Sequence, residues 1–248
     1  MNAAVLAIVA TALITSYGTR FFIRRVPRPV APPATLGETV LVDVRANGSD
    51  LETLMALAGS IARPDDGLVI PYTVPGPGQK DLAQARVDEA TEAAVALGYD
   101  TDGLVRVDES FADGTLHLIE EDDGSLVLLS WAGPRFPSDY VLGNDIDGIG
   151  ERSPVPTMAV RVLRPWNRVV VLTGNAETDW KQEDALLALA AVRRIRSTRN
   201  VPLVVITSDR ELVEDRVGDL EDVEIIVRSK PRIGLIDIVG PDDLFIAP

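Results

Sequence analysis

Cysteine is absent from this chain, which excludes disulfides, thiolate metal sites and cysteine nucleophiles. Histidine occurs once, at His117. One imidazole is a poor start for a metal site, and the flanking Asp113 and Glu121, four residues away on either side, read as ordinary surface pairs. Lysine is almost missing: Lys80, Lys181 and Lys230 are the only ones, and the other 21 basic residues are arginine. Phosphate-loop and zinc-protease motifs are lacking, and the run Leu128-Leu129-Ser130-Trp131-Ala132 is not a hydrolase Gly-x-Ser-x-Gly frame. The expectation is a protein that is not an enzyme. Trp131, Trp166 and Trp180 are scattered, as core aromatics are.

Charge of either sign is missing from the first nineteen residues. Asn2 to Thr19 then gives 18 uncharged, mostly apolar positions, about the minimum for a spanning helix. Arg20, Arg24, Arg25 and Arg28 follow at once. A secretory signal would carry its positive charge before the apolar run. Arginines flanking a span stay on the cytoplasmic side. We therefore expect a transmembrane helix over residues 1–26, a single-pass place in the cell membrane, and a cytoplasmic body. The four arginines would meet anionic lipid headgroups. Pro27, Pro29, Pro32 and Pro33 make residues 27–36 an extended linker.

No acid occurs before residue 36, so residues 1–35 carry +4, and with −14 on the whole chain the remainder carries −18. A body this acidic repels nucleic acid, which is set aside as a partner. Aspartate outnumbers glutamate 24 to 14. High aspartate with scarce lysine resembles proteins of a high-salt cytoplasm, where an acidic surface keeps the chain soluble. The acidic pairs Asp65-Asp66 and Asp242-Asp243 and the run Glu120 to Asp123 sit near Gly or Pro, as solvated turn ends do.

From Gly37 onward, short apolar runs alternate with helical periodicity. Val40–Val44, Leu68–Val74, Leu104–Val107, Ser125–Leu129 and Thr157–Val162 read as strands. Asp50–Ala62, Asp81–Leu97, Ser110–Glu121 and Asp145–Glu151 read as helices, Ser110 being an N-cap. Apolar strands separated by helices imply a parallel sheet covered on both faces, a doubly wound Rossmann-like α/β domain at 37–163. The pattern restarts at Arg168. Strands are expected at Val169–Thr173, Leu203–Thr207, Glu224–Val227 and Leu244–Ala247, and helices at Asp179–Arg196 and Arg210–Val217. Ile233–Val239 fits either type. Residues 164–248 thus form a second, incomplete copy in tandem.

One loop stands where open α/β sheets bind ligands. Leu129 to Asn144 leaves the fourth strand and enters a helix. Gly133 permits close backbone approach, Gly143 opens the helix, whose free amides attract anions, and Arg135 suits a phosphate. The spacing here is Ser130, two residues, Gly133, nine residues, Gly143-Asn144. It resembles the Gly-x2-Gly-x9-Gly-[Ser/Thr] signature of nucleotide-binding universal stress proteins. That resemblance implies a site for ATP or AMP made by Ser130, Gly133, Arg135, Gly143 and Asn144. Ser130 and Asn144 depart from the signature residue types, so the binding expected is weak or absent. The family also places an Asp at the end of its first strand. The corresponding stretch here is Val44-Arg45-Ala46-Asn47, with Asp43 before it and Asp50 after it.

A last membrane helix, a basic collar, a linker and tandem stress-protein-like domains together resemble the C-terminal part of monovalent cation/proton antiporters. The resemblance implies a membrane-anchored regulatory domain of a sodium or potassium/proton antiporter, with the antiporter membrane domain as partner. Residues 1–19 hold no acid, so an ion site of the buried-carboxylate kind is not in this segment. A stand-alone, membrane-tethered stress protein binding adenine nucleotide is the alternative. Stress-protein-like domains pair through their fifth strand, so a homodimer through Thr157–Val162 is expected.

Overall fold

The computed structural model describes residues 36–45, 50–130, 145–160, 165–173, 182–217, 219, 221–228, 238–240 and 242–246. Two compact units divide the chain, Met1–Val30 and Ala31–Pro248. The expected transmembrane helix and all of the Pro-rich linker but Leu36 lie outside the described residues. Among the described residues no helix is long and apolar enough to cross a membrane.

Among the described residues ten strands make two sheets. The first holds β1 (Thr39–Asp43), β2 (Leu68–Thr73), β3 (Asp100–Thr101), β4 (Leu104–Val105), β5 (Leu126–Ser130) and β6 (Thr157–Val160). Its order is β3-β2-β1-β5-β6, with β4 also on β2. All of its pairings are parallel. The second sheet holds β7 (Arg168–Leu172), β8 (Leu203–Thr207), β9 (Val223–Val227) and β10 (Asp243–Ile246), in the order β10-β7-β8-β9, again all parallel. The helices are α1 (Leu51–Ile61), α2 (Lys80–Ala96), α3 (Phe111–Glu121), α4 (Asp145–Arg152), α5 (Gln182–Thr198) and α6 (Arg210–Val217).

The period-two alternation of strands explains how each sheet is covered. In β1 and β5, Val40, Val42, Leu126 and Leu128 face one core, and Leu41, Val127 and Leu129 face the other. In β7 and β8, Val169, Val171, Leu203 and Val205 enter the first of these cores, while Val170, Leu172, Val204 and Ile206 form a third cluster. Both sheets therefore turn one face toward a shared interior. Helices α1 and α5, each following the first strand of its own sheet, pack together there. Ten of the eleven residues of α1 are buried, and only Glu52 is exposed. A helix buried on every side needs apolar and small residues all round, as LETLMALAGSI supplies.

The last carbonyls of α1 have no partners within the helix. Arg194 of α5 donates to Ile61 O at 3.3 Å, and Thr198 Oγ1 donates to Ser60 O at 3.4 Å. Gly37 sits against the same turn with φ +83°, and a Cβ there would fall 2.3 Å from Ile61 O. At Gly59 a Cβ would lie 2.0 Å from the Tyr99 ring, so the aromatic packs onto bare backbone.

Of the expected third strand, Leu104–Val107, Leu104–Val105 pairs, as β4, and a separate short strand, β3, precedes it on the same neighbour. Gly103 lies between β3 and β4, pressed so closely on α2 that a Cβ would be 2.4 Å from Thr91 Oγ1. Val107 is outside the strand and 69% exposed. Ser110 does cap α3, accepting from the Asp113 amide at 3.0 Å. The fifth strand of the first sheet is seen as Thr157–Val160; residues 161–164 lie outside the described residues, as do 229–237.

Candidate functional site

In the first sheet, β1 has β2 on one side and β5 on the other, and the strand order reverses there. The carboxyl ends of β1 and β5 thus flank a topological switch point, the usual ligand position of open α/β sheets. Two polar residues end these strands. Asp43 closes β1 and is fully buried; Ser130 closes β5 at 5% exposure. Ser130 Oγ donates to Asp43 Oδ2 at 3.2 Å.

Arg45 completes the cluster. Its amide donates to Asp43 Oδ1 at 3.0 Å and its Nε to Asp43 Oδ2 at 3.1 Å. Nη1 reaches Asp145 Oδ2, the first residue of α4, at 2.7 Å. The guanidinium lies 3.2 Å from the centre of the Phe111 ring at the start of α3, close enough for a cation–π contact. Phe111 stacks on Tyr72 with ring centres 6.3 Å apart and planes 9° from parallel. The Tyr72 hydroxyl shares a 3.1 Å hydrogen bond with Thr115 Oγ1. One arginine thus ties the end of β1 to the starts of α3 and α4.

Electrostatics follow from burial. Removal from water pushes the Asp43 carboxyl from 3.8 up to about 6, against the opposing pull of Arg45 and the Ser130 hydrogen bond. Burial raises the Tyr72 phenol well above its ordinary value, and the negative charge of Asp43 adds to this.

Of the sequence-predicted site residues, Ser130 stands at the switch point. Gly133, Arg135, Gly143 and Asn144 lie outside the described residues. Asp43 takes the strand-end position although it precedes the stretch matched to the family's acid. Asp50 does not join it: its carboxylate caps α1, accepting from Thr53 N at 3.1 Å and Thr53 Oγ1 at 2.9 Å. Phe111, Tyr72 and Asp145 were legible only as core or helix-start residues. The one usable signal was an acid ending an apolar strand run, where a buried carboxylate needs donors close by.

Among the described residues the second sheet does not repeat the cluster: Leu172 ends β7 where Asp43 ends β1, and the next residue, Thr173, is 4% exposed with no partner for its Oγ1.

His117 pairs with neither residue of its helical stripe. Its Nδ1 meets Asp108 Oδ2 at 2.7 Å. Arg106 takes Glu121, and Asp113 accepts from Arg152 and Ser110. These bonds to His117 and Arg106 hold the Asp108 carboxyl down at about 2. Among the described residues no group of three His, Asp or Glu is arranged to hold a metal ion.

No protein-family model matches the chain, and no curated protein does. Solved structures do. The chain is similar to a functionally unknown protein of Pseudomonas aeruginosa, with a TM-score of 0.55 and 13% identity over 77% of this chain and 74% of that one. A universal stress protein of Archaeoglobus fulgidus aligns with a TM-score of 0.50 and 15% identity over 78% and 76%. The cytoplasmic domain of a prokaryotic cation chloride cotransporter covers 77% and 78% at 15% identity, with a TM-score of 0.46 that is too low to bear on function. At such identities the likeness concerns the fold: the chain is an α/β protein whose parallel sheets resemble universal stress protein domains.

Proposed function

We propose that this chain is a membrane-anchored, cytosolic regulatory module of a sodium or potassium/proton antiporter, with a weak adenine-nucleotide site. The observation that carries the nucleotide part is the topological switch point between the carboxyl ends of β1 and β5, where Ser130 donates to Asp43. The membrane part is supported by the uncharged run 2–19 and the arginines behind it. Regulation in this reading is a shift between transporter states, driven by the module's preference for one of them. No bond is made or broken.

Everted membrane vesicles test it. Cells expressing the full chain are expected to yield vesicles whose sodium- or potassium-driven dissipation of a preformed pH gradient has an altered half-saturating cation concentration. Gly143→Asp, which puts a charge and a Cβ at the loop's end, is expected to remove any nucleotide dependence of that shift. Unaltered exchange in vesicles shown by immunoblot to contain the chain would contradict the proposal.

A further inference from the structure

The cluster at the end of β1 is more than a ligand-site wall. Asp43 is fully buried, yet it is held by donors of two kinds. Ser130 Oγ is a hydroxyl and either donates or accepts; Arg45 Nε and its amide only donate. If a proton joins Asp43 Oδ2, the new O–H can be given to Ser130 Oγ, so the buried acid stays satisfied. Oδ1 still accepts from the Arg45 amide. Only the Arg45 guanidinium loses its partner, because a protonated oxygen facing an N–H donor is a poor acceptor and the attraction between unit charges is gone.

We propose that Arg45 is a proton-released latch, closed over the carboxyl ends of β1 and β5 while Asp43 is ionised and freed when Asp43 takes up a proton. In the closed state the guanidinium covers the face of Phe111 and bridges Asp43 to Asp145. In the open state it is left with Asp145 alone, a pair whose carboxylate is 53% exposed and therefore weak. Opening loosens the cover over the Phe111 ring and leaves the end of β1 tied to the start of α4 only through the exposed Asp145 pair. The proton comes from solvent, and the charge on Asp43 goes from −1 to 0.

The surroundings leave Asp43 as the group that responds. From its own strand's extension comes Arg45. From β5 comes Ser130, which does not ionise in this range. From β2 comes the Tyr72 phenol, kept neutral by burial. From α3 comes Phe111, and from α4 comes Asp145. From α2 comes Arg86, whose Nε donates to Val44 O at 3.3 Å and whose Nη1 pairs with Glu89. The raised position of Asp43, about 6, puts the event within reach of a cytoplasm that acidifies. The latch does not need a nucleotide to bind, so it stands or falls apart from the nucleotide site.

Phenylglyoxal labelling of arginine in the full chain, read by peptide mass spectrometry, tests this. Arg210, exposed on α6, serves as internal reference, so that the reagent's own pH dependence cancels. The ratio of Arg45 to Arg210 labelling is expected to rise severalfold from pH 8 to pH 5, with its midpoint near pH 6. Asp43→Asn mimics the neutral acid and is expected to give a high ratio at every pH. A flat ratio in the native chain overturns the latch. So does a rise in Asp43→Asn that parallels the native one.

Discussion

Replacing Asp43 by Asn should make the protein more stable at neutral pH, although it removes a buried ion pair. A carboxyl at about 6 in the folded state and near 3.8 in the unfolded chain holds its proton more tightly when folded. Between those two values the folded state binds the proton that the unfolded state has released. Stability from this group is therefore full below pH 3.8, falls as pH rises, and is lost above pH 6. Asparagine cannot ionise and keeps the acid-form contacts, so it escapes the loss. The gap in favour of Asp43→Asn grows from less than about 1 kcal/mol at pH 4 to about 3 kcal/mol at pH 7.5. Every other carboxylate titrates alike in both proteins and cancels. Urea titration followed by circular dichroism, run on native and variant chains at each pH, measures the gap. A gap that stays constant from pH 4 to 7.5, or a variant less stable than the native chain at pH 7.5, would refute the reasoning.

Further outcomes follow from the same structure. Leu57→Ala in the fully buried α1 should cost about 2–5 kcal/mol in urea unfolding, since neighbours on both sheets' sides prevent collapse of the void. Gly59→Ala should cost about 1–3 kcal/mol, because its Cβ would overlap the Tyr99 ring; Gly59→Ala with Tyr99→Leu should recover part of this in the same assay. Residues 37–248, carrying −18, should remain soluble on their own and melt at higher temperature as salt rises from low to molar, and a steady fall would contradict the acidic-surface reading. Among the described residues β6 is paired on one side only, so Val160→Pro should convert an antiparallel dimer to monomers by light scattering. A strict monomer of the native body at high micromolar concentration would rule this edge out.

Much of the fold was legible because it depends on short-range patterns. Val40 and Val42 against Leu41, and Leu126 and Leu128 against Val127 and Leu129, announce strands covered on both faces. Ser110, three residues before Asp113, announces a cap. The shared interior was not legible. A stripe of Leu51, Leu54, Met55, Ala58 and Ile61 predicts one buried face for α1, whereas all of it but Glu52 is buried, with α5 packed on it from more than a hundred residues away. The short strand β3 was not read from the sequence, and Gly103, between it and β4, lies against Thr91, a contact no periodicity encodes. The spacing from Ser130 pointed to the end of β5, where Ser130 meets Asp43. Asp43 was visible as an acid after an apolar run, but its meaning depends on β5 lying beside β1. Arg45 was visible as a basic residue near the expected acid. Its reach to Asp145, a hundred positions on, becomes evident only when three elements converge.

The claim that the β1–β5 switch point is the ligand site is tested most directly by titrating AMP into the isotope-labelled chain and following backbone amide signals by NMR. The account predicts saturable shifts confined to the neighbourhood of Asp43, Arg45, Ser130 and Asp145, with an affinity weaker than low micromolar at physiological salt and loss of the response in Gly143→Asp. Shifts centred on Thr173 and the second sheet, low-micromolar affinity, or no response at the first sheet up to millimolar AMP would contradict it.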